Sequence, residues 1–141
     1  MLMAATALAQ PHQAVRDGYV LRASTVASTA LDPGTARTHG IDPQPGRGVL
    51  NVVVSKKEAP AGNVRAQLSA VARNLVGKER EIAMREATAP NGMVSYVGAY
   101  DFAPREVLDF IIEARPEGAR TDLKLEFRDR LPTLQQERRP S

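Results

Sequence analysis

A chain of 141 residues, 43% apolar and 25% charged, has the size of one domain and the composition of a globular rather than a disordered protein. It has no cysteine, which excludes a disulfide framework, thiolate metal sites, a thiol nucleophile and a lipidated cysteine anchor. The net charge of +3 includes Arg138 and Arg139 in a polar tail; without that pair the body is close to neutral, and no basic stripe with interleaved aromatics points to nucleic acid.

The segment Met1–Ala9 is small and apolar, and Ala7-Leu8-Ala9 before Gln10 fits an A-x-A cleavage site. Residues 1–9 therefore read as the remnant of a signal peptide whose true start lies upstream, and 10–17 as an N-terminal arm. Nothing approaches the ~18 consecutive apolar residues that a bilayer span needs. Gly18–Val26 reads as a first strand. Asp32 then stands as a cap before Pro33, and Gly40 sits where a helix-ending glycine belongs, which predicts one short helical turn near residues 33–39. Ile41–Gly46, with two prolines, is an extended linker into a β-branched strand over Val49–Lys56.

The middle of the chain admits two readings. Val64, Leu68, Val71, Ala72 and Leu75 fall at helical spacing behind Asn63 as an N-cap, while Val64, Ala66, Leu68, Ala70 and Ala72 also alternate with Arg65, Gln67 and Ser69. Lys78–Ala87 is likewise made of good helix formers. Propensity alone favours helix here and an α+β fold; periodicity does not decide. Further on, Met93–Phe102 and Val107–Arg115 read as strands, and Thr121–Arg130 alternates strictly, with Leu123, Leu125 and Phe127 on one face. Three turn signals of one design, Ala59-Pro60-Ala61-Gly62, Ala89-Pro90-Asn91-Gly92 and Arg115-Pro116-Glu117-Gly118, separate apolar runs and predict antiparallel hairpins. Residues 132–141 are polar and read as a disordered tail.

Taken in order, several pieces carry a resemblance: Ser28-Thr29-Ala30-Leu31-Asp32-Pro33 with Gly40-Ile41, then Leu50-Asn51-Val52-Val53-Val54, Ala72-Arg73-Asn74-Leu75 and Arg85-Glu86. Tyr96-Val97-Gly98-Ala99-Tyr100, Leu108-Asp109-Phe110 and Pro116-Glu117-Gly118 complete the set. From about Tyr19 to Phe127 the chain resembles the family of domain of unknown function 4426, exported proteins of Gram-negative bacteria. The resemblance implies an all-β fold, an immunoglobulin-like antiparallel β-sandwich of about seven strands spanning residues 18–131, in a periplasmic protein. It also implies strand rather than helix over Asn63–Leu75, a region that tends to be rich in Gly and Thr in the family. The chain departs from the family pattern at Ala23, Ala27, Ala30 and His39, where relatives more often carry larger, polar or aromatic side chains.

Chemistry-bearing residues are sparse. The two histidines, His12 and His39, do not stand at ligand spacing, and Met84 and Met93 read as core filling, so no metal or cofactor is expected. Ser24, Ser28 and Thr29 have only His39 as a base and lie in no G-x-S-x-G elbow; they read as turn and cap hydrogen-bonders, and the protein as not an enzyme. Glu79 and Glu81 among Lys78, Arg80 and Arg85 read as a solvated face, and Gly46-Arg47-Gly48 lacks the features of a phosphate loop. What remains is the open edge of a sandwich. The expectation is a soluble, non-enzymatic periplasmic module that binds or scaffolds an envelope protein or peptide. The alternative is a small-molecule or metal-binding periplasmic protein. The candidate binding residues are Thr29, His39 and Tyr96.

Overall fold

The computed structural model describes residues 12–88 and 92–129, with backbone alone over 59–62. The expected signal-peptide remnant at 1–9, the expected disordered tail at 132–141 and residues 89–91 of the expected turn lie outside the described residues. Among the described residues there are ten strands: β1 His12–Arg16, β2 Tyr19–Ala27, β3 Arg47–Lys56, β4 Ala59–Asn63, β5 Ala66–Asn74, β6 Glu79–Glu81, β7 Arg85–Thr88, β8 Val94–Asp101, β9 Leu108–Pro116 and β10 Leu123–Asp129. A 3-10 turn, Ser28–Ala30, and one short helix, α1 Pro33–Thr38, lie between β2 and β3. The strands form two antiparallel sheets, one ordered β1-β2-β3-β8-β7 with β4 beside the end of β3, the other β10-β9-β5-β6. The fold is an all-β sandwich, as expected. The count exceeds seven because β1, β4, β6 and β7 are edge pieces of three to five residues.

The core follows from period-two patterning. Leu21 and Ala23 of β2, Leu50, Val52 and Val54 of β3, and Tyr96 and Tyr100 of β8 meet Ala70 and Ala72 of β5, Phe110 and Ile112 of β9, and Leu123, Leu125 and Phe127 of β10. Phe110 lies at the centre, with its ring 5.0 Å from Tyr100 edge-on and 5.1 Å from Phe127 in a stack. A smaller cluster, Ala36, Ile41, Val49 and Val97, covers the outer face of the first sheet beneath α1. That helix starts as the sequence predicts: the Asp32 carboxylate accepts hydrogen bonds from the Gly34 and Thr35 amides at 3.1 and 3.2 Å, with Pro33 in the first turn.

Residues 63–87 hold strands joined by short turns and links, and no helix. β5 pairs with β9 over nine residues, from Ala66 opposite Pro116 to Asn74 opposite Leu108. Small Ala70 and Ala72 thereby face Ile112 and Phe110 across the ladder, so bulk on one strand meets space on the other. A helix in this place would strip β9 of that ladder, and Leu75 of the helical stripe is instead 63% exposed in the turn after β5.

Two hairpins differ from the sequence-based expectation. The β3–β4 turn falls at Lys57 and Glu58, not at 59–62; Ser55 pairs with Asn63 and Lys56 with Ala59, leaving Pro60, Ala61 and Gly62 in a bulge. Proline has no amide hydrogen to give a ladder and glycine carries no side chain to pack, so both suit a bulge. In the stretch 10–17, β1 forms a hairpin with β2 through Asp17 and Gly18, both at positive φ (53° and 80°), the two-residue turn that matches strand twist.

One flank of the sandwich is closed by side chains. The Thr25 hydroxyl donates to the Asp129 carboxylate, the Thr121 hydroxyl to that of Asp17, and the His12 ring stacks on Phe127 at 4.0 Å. On the opposite flank the chain leaves β6 in one sheet and enters β7 in the other through Ile82, Ala83 and Met84. This crossing lies directly on Gly98 of β8: a Cβ there would sit 2.6 Å from Met84 Sδ and 2.7 Å from the Ala83 carbonyl. Only glycine leaves room for it.

Candidate functional site

The crossing on Gly98 delivers β7 to the margin of the first sheet. There it pairs with β8 alone, Arg85 opposite Val97, Glu86 opposite Tyr96, Ala87 opposite Ser95 and Thr88 opposite Val94. It is the last strand of the sheet, so among the described residues its outward backbone edge has no ladder partner. Directly opposed residues share a face. Val97 packs under α1, which puts Arg85 and Ala87 on the outer face; Tyr96 belongs to the core, which puts Glu86 and Thr88 on the inner one.

A cleft opens on each side of this strand. The outer groove, about 500 Å³, is lined by Thr38 and His39 at the end of α1, by Arg85 and Ala87 of β7 and by Ser95 and Val97 of β8. Glu86 and Thr88 reach its margin. Arg85 lies across towards the helix end: its Nη1 is 3.0 Å from where a Cβ on residue 40 would stand, so Gly40 makes room for the guanidinium. Arg47, Arg65, Arg73, Arg80, Arg115 and Arg128 each sit in an ion pair. Among the described residues Arg85 has no such acid partner.

The inner cleft, about 420 Å³, lies between the two sheets and is lined by Arg65, Glu86, Tyr96, Arg115, Pro116 and Gly118, among others. Its walls are tied by side chains. Arg65 Nε is 3.3 Å from Glu86 Oε2, Asn63 Nδ2 donates to the Val94 carbonyl at 2.6 Å, and the Tyr96 hydroxyl accepts the Ala66 amide at 2.8 Å. The Tyr96 hydroxyl does this because β6 pairs only with Val71–Arg73, leaving the first half of β5 without a second neighbour among the described residues.

The three sequence-predicted site residues separate. His39 lines the outer groove and Tyr96, 6% exposed, the inner cleft, on opposite faces of one sheet; Thr29 lies in the 3-10 turn after β2 and lines neither. Ser28 is fully buried, donating to the Gln44 carbonyl at 3.0 Å and accepting the Gln44 amide at 3.1 Å, a loop-fastening role. Burial first, and the Asp129 carboxylate second, push the Tyr100 phenol far above its ordinary range, which keeps it protonated. Among the described residues no three His, Cys, Asp or Glu side chains converge on a point that could hold a metal. In the sequence Arg85 is one solvated charge among several. Its lack of an acid partner emerges only once the strands are paired.

Fold and site together define a small antiparallel β-sandwich with a cleft on each face of an open edge strand. The chain belongs to the DUF4426 family, a domain of unknown function whose family model matches residues 13–133. Its fold is similar to that of a DUF4426 family protein from Pseudomonas aeruginosa, with a TM-score of 0.75 at 22% identity, covering 87% of this chain and 95% of that one. It is also similar to a copper-bound variant of FetP from uropathogenic Escherichia coli, with a TM-score of 0.58 at 14% identity over 84% of this chain and 95% of FetP. FetP as isolated after recombinant expression in the periplasm of E. coli gives 0.57 at 13%, over 85% and 95%. These likenesses show the fold. No curated protein matches the chain.

Proposed function

We propose that this chain is a non-enzymatic periplasmic module that binds an extended segment of an envelope protein, taking it as an added strand along β7. The observation that carries this reading is the open edge of β7 with a cleft on each face. A strand laid beside β7 would bond its backbone to the unpaired edge while successive side chains point alternately into the outer groove and the inner cleft. Four residues of β7 supply only a few backbone hydrogen bonds, each worth about 0.5–1.5 kcal/mol net, so side chains in the two clefts must supply much of the affinity. The non-enzymatic reading is supported by the Ser28 hydroxyl being buried and engaged with Gln44. The periplasmic one draws on Ala7-Leu8-Ala9 and on the FetP neighbour expressed in that compartment.

The test is selection from a random peptide library on the immobilised protein, followed by amide hydrogen exchange of the complex. Selected peptides are expected to be extended, and the amides of β7 to slow on binding. A protein that selects no peptide, or whose bound peptide leaves β7 exchanging as before, defeats the reading.

A metal-binding role stands second, favoured by the copper-bound FetP neighbour. Mass spectrometry of the protein purified from copper-supplemented periplasm, showing stoichiometric metal, would put it first.

A further inference from the structure

We infer that the outer groove beside β7 is a carboxylate subsite, in which Arg85 and His39, with the hydroxyl of Ser95, receive an acidic side chain of the added strand. The inference rests on the edge-binding reading and names the chemistry of its ligand.

The argument starts from Arg85. A guanidinium presents donors in a planar fork that matches the two oxygens of a carboxylate, as Arg128 does with Asp109 at 2.7 and 3.2 Å, and Arg73 and Arg115 each bond one oxygen, of Glu79 and of Asp122. Arg85 is the one that lines the groove, and among the described residues no carboxylate of the chain answers it. Glu86, the one acidic residue on the groove's margin, turns its carboxylate to Arg65 at 3.3 Å. Gly40, lacking a Cβ, leaves the space in which the guanidinium lies beside the helix end. His39 adds a ring nitrogen donor and Ser95 a hydroxyl that rotates to suit an acceptor, while the Thr38 hydroxyl is spent on the Gly34 carbonyl at 2.9 Å.

Placement gives the register. A strand added to the β7 edge sets its outer-face residues directly across from Arg85 and Ala87, at the 4.5–5.5 Å Cβ separation usual for opposed pairs, roughly the reach of one short side chain. Ala87 projects only a methyl group into the groove, which leaves the volume above it to the guest. An Asp or Glu of the guest opposite Ala87 therefore lies diagonal to Arg85, on the face that Arg85 and His39 both line.

Two arms test this with the full chain. In the first, acetate is titrated against the protein and followed by the Arg85 Nε–H signal and the Thr38 and Ser95 amides. Saturable shifts are expected, and they should vanish in Arg85→Gln and in Ser95→Asp, where a built-in carboxylate occupies the groove. In the second, a library-selected peptide is compared with its form carrying the amide in place of the acid. The amide form should bind about tenfold more weakly to the wild type and equally to Arg85→Gln. Peptides that bind β7 with no such acid dependence overturn the subsite and leave edge binding intact. Acetate shifts with no peptide binding at all assign the groove to a free carboxylate and overturn the acidic strand. Phosphate displacing acetate from the same signals at lower concentration overturns the carboxylate assignment. If Arg85→Gln loses its dispersed spectrum, Ser95→Asp decides between the two outcomes in its place.

Discussion

A methyl group at position 98 would enter space already filled by Met84 Sδ, Ile82 Cγ2 and the Ala83 carbonyl, each within 2.7 Å. The thioether can swing aside but the carbonyl belongs to the backbone, so the crossing itself must move. Gly98→Ala is expected to destabilise the fold by about 1–3 kcal/mol, read from urea unfolding. It should also weaken peptide binding, because the same crossing positions β7. At Asp109 the Arg128 guanidinium, bonded at 2.7 Å, holds the carboxyl below its usual range, with Arg73 adding to the effect. A group depressed in this way stabilises the fold above its ordinary value of 3.8 and loses that contribution as pH falls through the lowered native one. The melting temperature of Asp109→Asn should therefore trail the wild type at about pH 6 and converge with it towards about pH 2. The pair is solvent-facing, so the gap will be small. A gap that persists to the acid end counts against the ion pair as its source.

At the level of elements, the sequence is readable where one face is wet. β10 alternates buried and exposed residues along almost its whole length, and its bounds differ from the expected Thr121–Arg130 only at the ends. The cap on α1 is equally plain, because Asp32 and Pro33 act within one turn. β5 is not. Its Ala, Arg and Gln residues are good helix formers, and what makes it a strand is the ladder to β9, some forty residues further on, which no local window contains. The bulge at 60–62 escapes a local reading for a similar reason: proline and glycine mark both turns and bulges, and only the pairing partner tells them apart. Asp17-Gly18, by contrast, carries a hairpin signal that treating 10–17 as an arm passes over. The site is legible in fragments. His39 and Tyr96 stand out from sequence, but that one strand between them divides two clefts depends on the crossing at 82–84. With the middle of the chain in β5, β6 and β7, the far-UV circular dichroism spectrum should be that of a β protein; one dominated by helix would overturn the assignment of this region.

For the whole molecule, most of the structure is held by pairings distant in sequence, β2 with β3 and β5 with β9 among them. Such ladders require loop closure before any contact is rewarded, so folding is expected on the millisecond-to-second scale typical of sandwiches. Stopped-flow refolding complete within microseconds would contradict the topology. The two flanks also differ in kind. Where β1 and β2 meet β10, the sheets are joined by side chains, whereas at the other flank a continuous backbone runs from one sheet to the other.

That backbone link is three residues long, Ile82 to Met84, and β7 hangs from its end. If β7 takes an added strand as proposed, tension on that strand would load the link before it loaded the aromatic centre of the sandwich, much as a fuse takes current ahead of the circuit behind it. β7 would then peel from β8 and free the added strand while the aromatic interior stays intact.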